Sequence, residues 1–146
     1  MAKWEANAKA DLREYQQVKD SLENIPMRLH ELELEIQSIK SVTYDKTPVQ
    51  GGTSGREDHI INNIDERNRL KFNLQVAQLK VERIEKGLAG LNQQERRVLE
   101  YTFIRPEYGG VHRLCREMSY EKTAIYDMIG AALRKYTLSM CGVVDL

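Results

Sequence analysis

The stretch that decides the fold is residues 15–39, which read YQQVKDSLENIPMRLHELELEIQSI. Its apolar residues recur in alternating steps of three and four, and polar or charged residues fill most of the positions between them. This spacing aligns one apolar stripe along a helix, as in the heptad repeat of a coiled coil. We therefore predict a long amphipathic helix. The members of this first seam are Tyr15, Val18, Leu22, Ile25, Leu29, Leu32, Ile36 and Ile39.

A proline interrupts the first seam at position 26. Proline has no backbone N–H and its ring clashes with the preceding turn, so inside a helix it causes a kink or a break. Two interpretations stay open: one kinked helix, or two helices that meet with Asn24 as the N-cap of the second. The unbroken apolar spacing favours the kink.

A second apolar series follows, again in steps of four and three, and predicts a second long helix. Its members are Leu70, Leu74, Ala77, Val81, Ile84, Leu88 and Leu91, with Ile60, Ile61 and Ile64 extending it toward the N-terminus. Residues 43–58 between the two series contain Pro48 and several glycines, which predicts a long flexible loop. Because this connector lets the helices fold back on each other, we predict an antiparallel, coiled-coil-like hairpin over residues 1–87.

The pattern changes near residue 87 and marks a domain boundary. Gly87 and Gly90 interrupt the helical pattern, and shorter segments with turn residues follow. Asn92, followed three residues later by Glu95, has the spacing of a capping box and predicts the start of a short helix. The inward positions of this helix are Val98, Leu99 and Phe103, with Tyr101 as a further candidate. We assign residues 88–146 to a second domain.

Residues 111–136 show the pattern of two helices separated by a tight turn. The first reads VHRLCREM, and the second runs from about Glu121 to Tyr136. This succession is that of a helix-turn-helix, whose second helix enters the major groove of DNA. Many small helical bundles share the geometry, so periodicity alone also allows a packing module. The inward positions are Val111, Leu114, Cys115, Met118, Ile125, Met128, Ile129, Ala132 and Leu133.

Composition and charge exclude several classes of protein. Lysine and arginine total 22, as do aspartate and glutamate, which argues against nonspecific coating of nucleic acid. The sequence has no apolar run of bilayer length and no apolar signal-peptide core, so we expect a cytoplasmic protein without membrane contact. Cys115 and Cys141 lie far apart, and no phosphate-binding loop or metal-ligand spacing occurs. We therefore expect no enzyme, no metal and no cofactor.

The C-terminal sequence resembles region 4 of sigma-70 factors. The similar stretches are GLNQQERRVLEYTFI and VHRLCREMSYEKTAIYDMIGAALRKY. The matching positions are Leu91, Glu95, Val98, Leu99, Phe103, Leu114, Met118, Ile125, Met128, Ala132, Leu133, Arg134 and Lys135. In this resemblance Cys115 stands where a small residue lets two helices approach, and we interpret it as a buried packing thiol. The resemblance implies an all-α protein with a hairpin followed by a sigma-region-4-like helix-turn-helix domain.

Two positions depart from the pattern of region 4. Thr102 stands where the family usually carries an arginine that suits a phosphate contact. Glu121 opens the second helix where the family usually has serine or threonine, and it brings negative charge near DNA. We expect Ser119 to act as the replacement cap.

The resemblance implies that one surface of the second helix faces the bases, and helical spacing agrees because its members lie opposite the inward stripe. This reading surface consists of Lys122, Thr123, Tyr126 and Asp127. Lys122 suits guanine or phosphate, and Asp127 suits the amino group of cytosine. Thr123 or Tyr126 suits the methyl group of thymine. The candidate phosphate contacts are Arg113, Arg116, Arg134 and Lys135. The alternative interpretation is that all of these are solvated helix faces.

The whole chain resembles small phage regulators of late transcription of the RinA, ArpU and LtrC type. The resemblance implies an activator that binds double-stranded promoter DNA and engages host RNA polymerase, through the β flap or sigma, in the bacterial cytoplasm. No segment resembles sigma region 2, so we do not expect promoter opening by this chain alone. A two-helix hairpin buries little surface, which makes a homodimer through the N-terminal helices plausible. The alternative is an oligomeric phage assembly protein such as a small terminase-like subunit, whose helix-turn-helix usually comes first.

Overall fold

The computed structural model describes residues 3–42 and 53–144 of the chain. All regular structure in these two ranges is helical, which confirms the predicted all-α class. None of the helices found there has the length and apolar character needed to cross a bilayer. A π-helical segment, Glu100–Ile104, directly follows the third helix. The helices are α1 (Lys3–Val42), α2 (Thr53–Ala89), α3 (Gln93–Leu99), α4 (Gly110–Met118) and α5 (Lys122–Cys141).

Helix α1 is continuous over 40 residues, with Pro26 inside it. Of the two interpretations of this proline, a break with Asn24 as an N-cap is therefore wrong. Every member of the first seam is buried or half-buried, and Leu32 and Ile36 are among the most buried. The apolar spacing that favoured one helix over two thus outweighs the local cost of the proline.

Helix α2 corrects two sequence predictions. It begins at Thr53, so residues 53–58 are helical rather than part of the predicted loop 43–58, whose residues 43–52 lie outside the described ranges. Residues 53–58 contain one helix-destabilising residue, Gly55, and a glycine costs only about 1 kcal/mol inside a helix. Gly87 does not interrupt the helix either, because α2 continues to Ala89. A Cβ at Gly87 would lie 2.7 Å from the ring of Tyr136, so this glycine permits close helix packing.

Two isoleucines assigned to the second seam lie outside it. Ile61 and Ile64 are 54% and 40% exposed, whereas Asn63 between them is buried. The Asn63 side chain donates from Nδ2 to the carbonyl of Leu32 at 2.9 Å, and its Oδ1 accepts from Arg67 at 2.8 Å. Because both polar ends of its amide are bonded, an asparagine occupies the position that hydropathy assigned to isoleucine.

The chain forms two compact units. The middle unit contains residues 20–78, and the end unit contains residues 1–19 together with residues 79–146. This grouping differs from the predicted division between residues 87 and 88. The reason is that the start of α1 and the last turns of α2 pack with the C-terminal helices.

In the middle unit, α1 and α2 contact each other in opposite residue order. The guanidinium of Arg28 reaches the carboxylate of Glu66 at 3.3 Å, and further along α1 the carbonyl of Leu32 bonds the amide of Asn63. Residue numbers rise along one helix while they fall along the other, so the two segments run antiparallel.

The end unit has the larger core, and five helices contribute to it. Its buried side chains are Ala8, Leu12, Tyr15, Val81, Ile84, Leu88, Val98, Leu99, Phe103, Leu114, Ile125, Ile129, Ala132, Leu133 and Tyr136. Polar pairs surround this core: Asp11 bonds Arg83, and Glu14 bonds Lys80 at 2.6 Å. The cationic groups of Lys9 and Arg13 lie 5.8 and 5.5 Å from the centre of the Phe103 ring. Residues 3–19 are therefore structural members of this unit.

The phenol of Tyr15 gives this unit a predicted sensitivity to alkaline pH. Burial and the 2.8 Å hydrogen bond that it donates to Glu85 raise the pKa of Tyr15 to about 12. The folded state keeps this proton where the unfolded chain loses it, so the free energy of unfolding should fall from about pH 10 to pH 12, by at most about 1.4 kcal/mol per pH unit. Urea titrations should show this fall, and Tyr15→Phe should make it shallower. Tyr120→Phe, at an exposed site, is the control, and equal slopes in all three proteins would contradict the assignment.

Candidate nucleic-acid interface

Helix α3 begins at the predicted capping box. The backbone N–H of Glu95 donates to Oδ1 of Asn92 at 2.8 Å, and that of Asn92 donates to Oε1 of Glu95 at 2.9 Å. Lys135 of α5 donates to the same carboxylate oxygen at 2.9 Å. The backbone N–H of Asn92, followed by Lys135, holds the pKa of Glu95 below its usual value. The cap therefore also ties α3 to α5.

The π-helical segment after α3 was not predicted from the sequence. Within it, the hydroxyl of Thr102 donates to the carbonyl of Val98 at 2.6 Å, and Phe103 is buried. The hydroxyl of Thr102 is therefore engaged with the backbone of its own helix. This residue does not replace the arginine that region 4 usually carries there.

Helix α4 starts at a close approach to the π-helical segment. A Cβ on Gly110 would lie 2.9 Å from the carbonyl oxygen of Tyr101, a distance that real Cβ atoms essentially never show. Glycine at this position therefore lets the two elements touch. Along α4, Leu114 is fully buried, while Cys115 is only half-buried, which corrects its interpretation as a buried packing thiol.

The turn between α4 and α5 comprises residues 119–121. Ser119 lies in the left-handed region, with φ 59° and ψ 38°, and its N–H donates to the carbonyl of Cys115. Glu121 is the N-cap residue of α5, and its side chain makes no capping bond. The expectation that Ser119 caps α5 is wrong, because the geometry of Ser119 closes α4.

Ser119→Gly should stabilise the protein. An L-residue in the left-handed region costs roughly 1 to 2 kcal/mol, and glycine avoids this cost but loses more backbone entropy on folding. We expect a net gain of about 0.5 to 1 kcal/mol in the free energy of unfolding, measured by urea titration. Ser139→Gly, at an exposed position inside α5, is the matched control and should destabilise by about 0.5 kcal/mol. A loss of stability in Ser119→Gly would show that the left-handed backbone conformation of Ser119 does not destabilise the folded protein.

The reading surface lies on the first two turns of α5. All four of its residues are exposed, and the ammonium of Lys122 lies 6.0 Å from the centre of the Tyr126 ring. Ile125 and Ile129 on the opposite side of the helix are buried. Packing thus fixes the helix while it leaves the reading surface open to solvent. The base contacts assigned to these residues stay a prediction.

An open cleft of about 290 Å³ adjoins the reading surface. Lys122 and Tyr126 line one side of it, and the π-helical segment and the start of α4 line the other. The imidazole of His112 and the carboxylate of Glu107 also line this cleft. The cleft continues from the start of α5 to the start of α4.

Two of the four candidate phosphate contacts are engaged within the protein. Arg113 bonds Glu107 at 2.7 Å and Glu117 at 3.1 Å. Lys135 bonds Glu95 in the capping box. Because carboxylates already neutralise these cations, each would have to give up an ion pair before it could bind a phosphate.

The other two candidates are open. Arg116 and Arg134 are exposed, and neither forms an ion pair with any residue that the structure describes. Their charge is therefore available to an external anion. Sequence alone did not separate these two arginines from the engaged pair. Glu95, which holds Lys135, lies forty positions away on another helix, and the spacing of four between Arg113 and Glu117 does not by itself show that their ion pair forms.

Two residues next to α4 and α5 were not predicted from the sequence. Tyr120, in the turn before α5, is exposed and carries a phenol that can stack or donate a hydrogen bond. Arg97 of α3 bonds Glu117 at 2.7 Å, and its guanidinium lies 5.4 Å from the ring of Tyr101. In the sequence, Tyr120 could have been found as an aromatic residue directly before the predicted second helix. The ion pair of Arg97 with Glu117 could be found only from the structure.

In comparisons with known proteins, no family model, curated protein or solved structure matches this chain. Both cysteines are free thiols. No group of three or more His, Cys, Asp or Glu side chains placed to hold a metal ion occurs among residues 3–42 and 53–144.

Proposed function

We propose that this chain is a phage-type transcription regulator that binds promoter DNA through α4 and α5 and activates host RNA polymerase. The observation that carries the proposal is the exposed reading surface, which lies on the N-terminal half of α5 directly after a three-residue turn. Helix-turn-helix proteins insert this part of the second helix into the major groove.

The chemistry of the reading surface suits base edges. The ammonium of Lys122 can donate to the O6 and N7 acceptors of guanine. The carboxylate of Asp127 can accept from the N4 amino group of cytosine, and the methyl group of Thr123 can contact that of thymine. Donor, acceptor and apolar groups together give the means to distinguish base pairs rather than only to attract the phosphate backbone.

The open arginines supply the attraction to the backbone. Arg116 follows the middle of α4, and Arg134 lies past the middle of α5, so the two cations come from both helices. Each phosphate that a protein cation neutralises releases counterions, which strengthens binding at low salt. A chain of zero net charge can therefore bind DNA through exposed cations that have no carboxylate partner among the described residues.

The proposal includes the finer architecture, an N-terminal antiparallel hairpin and a region-4-like C-terminal domain. The opposite residue order of the contacts between α1 and α2 supports the hairpin. The capped α3 tied to α5 through Glu95 and Lys135 supports the region-4-like packing. The resemblance to region 4 supports a contact with polymerase, through the β flap or sigma.

Transcription in vitro tests the proposal. A preferred site is first selected from random duplexes and placed upstream of a weak promoter. The protein should then raise transcription by host holoenzyme, and Asp127→Ala should lose the preference for the selected site. Robust transcription with core polymerase alone would identify a sigma factor instead. No effect in either mixture, together with rings of about eight or more subunits in light scattering, would favour a terminase-like assembly protein.

A further inference from the structure

A glycine, Gly130, lies on the exposed side of α5, well inside the range Lys122–Cys141. Glycine inside a helix loses more backbone entropy on folding than alanine does, and it has no side chain that could repay this loss by packing. Glycine at this position therefore destabilises the folded protein relative to alanine.

The described part of the chain contains no feature that requires glycine at position 130. The glycines with positive φ in this part are Gly109 and Gly142. Gly87 and Gly110 leave room for a close internal contact, whereas a Cβ built on Gly130 meets no atom within 4 Å. Position 130 is also too far from either end of α5 to cap the helix. Of the usual reasons for a glycine, the one that remains is close approach of the helix backbone to a bound ligand.

The neighbours of Gly130 on the helix surface are groups assigned to DNA. Residues three and four positions apart lie next to each other on a helix. Gly130 follows Tyr126 by four positions and Asp127 by three, and it precedes Arg134 by four. These three neighbours are all exposed. Gly130 therefore leaves a gap in the layer of side chains between the reading surface and an open arginine.

We propose that a sugar–phosphate strand of the bound duplex passes directly against the backbone of α5 at Gly130. The reading surface suits base edges and Arg134 suits a phosphate, so the strand that borders the major groove crosses α5 between them. Gly130 lies about 6 Å before Arg134 along the helix axis. The contact is one of shape, because the N–H and C=O groups of an interior helix residue are already bonded within the helix.

This inference rests on the proposed function and adds a specificity-determining residue to it. The side chains of the reading surface select bases, whereas Gly130 sets how closely α5 enters the groove. A side chain at position 130 would hold the strand away from the helix, and the reading surface would then lose its contacts with the base edges. Substitution should therefore weaken binding to the selected duplex although no contact within the protein is lost.

Opposite changes in stability and affinity test the proposal. Gly130→Ala should raise the midpoint of thermal unfolding by about 4 °C, because alanine favours the helix and its methyl group has open space around it. Fluorescence anisotropy should nevertheless show weaker binding of this variant to the selected duplex. Gly130→Leu should weaken binding at least about 10-fold, which corresponds to about 1.4 kcal/mol. A purely structural role of Gly130 would not combine a more stable fold with weaker DNA binding.

The matched control is Gly55, which is exposed and where a Cβ would also meet no atom within 4 Å. It lies in the first turn of α2, where helices tolerate glycine, and belongs to the middle unit. Gly55→Ala and Gly55→Leu should bind the selected duplex as the wild-type protein does. Wild-type affinity in Gly130→Leu, or an equal loss in Gly55→Leu, would overturn this inference alone. A wild-type protein that binds no duplex would instead overturn the proposed function on which the inference rests.

Discussion

Leu32→Asp should unfold the middle unit, whereas Leu34→Asp, two positions further along the same helix, should leave it folded. Leu32 is 1% exposed and Leu34 is 52% exposed. An aspartate at position 32 would lose its hydration without gaining a cationic partner, and burying an unpaired charge costs about 3 to 5 kcal/mol. That is a large fraction of the stability of a typical domain.

Thermal melts followed by circular dichroism measure this difference. The Leu32→Asp variant should lose helix at 25 °C or melt well below the wild-type protein, while Leu34→Asp should melt close to it. The two variants have the same change in charge and in helix propensity, so only burial separates them. Equal melting temperatures would mean that the first seam is not buried against a partner.

The first seam was predictable because helix periodicity and burial agree at each of its positions. Spacing alone identified Leu32 and Ile36 as inward residues, and the structure buries both. The same reasoning failed at Ile61 and Ile64, because hydropathy ranks isoleucine above the asparagine that lies between them. The buried amide of Asn63 is stable only because the carbonyl of Leu32 and the guanidinium of Arg67 satisfy it, and no spacing rule reveals such distant partners.

The grouping of the chain into units was the least predictable part of the fold. Periodicity shows which side of a helix is apolar, but not what covers it. Leu12 belongs to the same apolar stripe as the first seam, yet it lies in the core of the end unit. The contacts of Lys9 and Arg13 with the ring of Phe103 join residues about ninety positions apart, so local sequence carries no signal of them.

The candidate interface, too, was only partly predictable from the sequence. Helical spacing placed the reading surface on the solvent side of α5, and its four residues are exposed there. Spacing did not show which cations are free. That property depends on carboxylates such as Glu95 and Glu117, which belong to other turns or helices. The four candidate cations should therefore differ in how much their substitution affects DNA binding, although the sequence alone placed them in one group.

Arg134 and Lys135 are adjacent, equally charged and both exposed, but they should respond differently to alanine substitution. Arg134 has no ion pair within the described residues, so Arg134→Ala should weaken binding to all duplexes and lower the salt slope by about 0.9. Lys135 donates to Glu95, so Lys135→Ala should affect DNA binding less and reduce the stability of the end unit instead. Fluorescence anisotropy on specific and random duplexes over a range of salt, with urea titrations of both variants, measures the two effects.

Among the substitutions that target DNA binding, removal of both open arginines should lower the affinity most. The double variant Arg116→Ala, Arg134→Ala should lower the salt slope by about 1.8 and the affinity on the order of 10-fold or more at moderate salt. The control double variant, Arg113→Ala with Lys135→Ala, has the same change in charge on the same two helices, but its cations are already neutralised by Glu107, Glu117 and Glu95. If the control variant lowered the slope as much as the first one, net charge alone would govern binding. The geometry requires the open pair to dominate, because a cation that is held by a carboxylate gains little when it exchanges that partner for a phosphate.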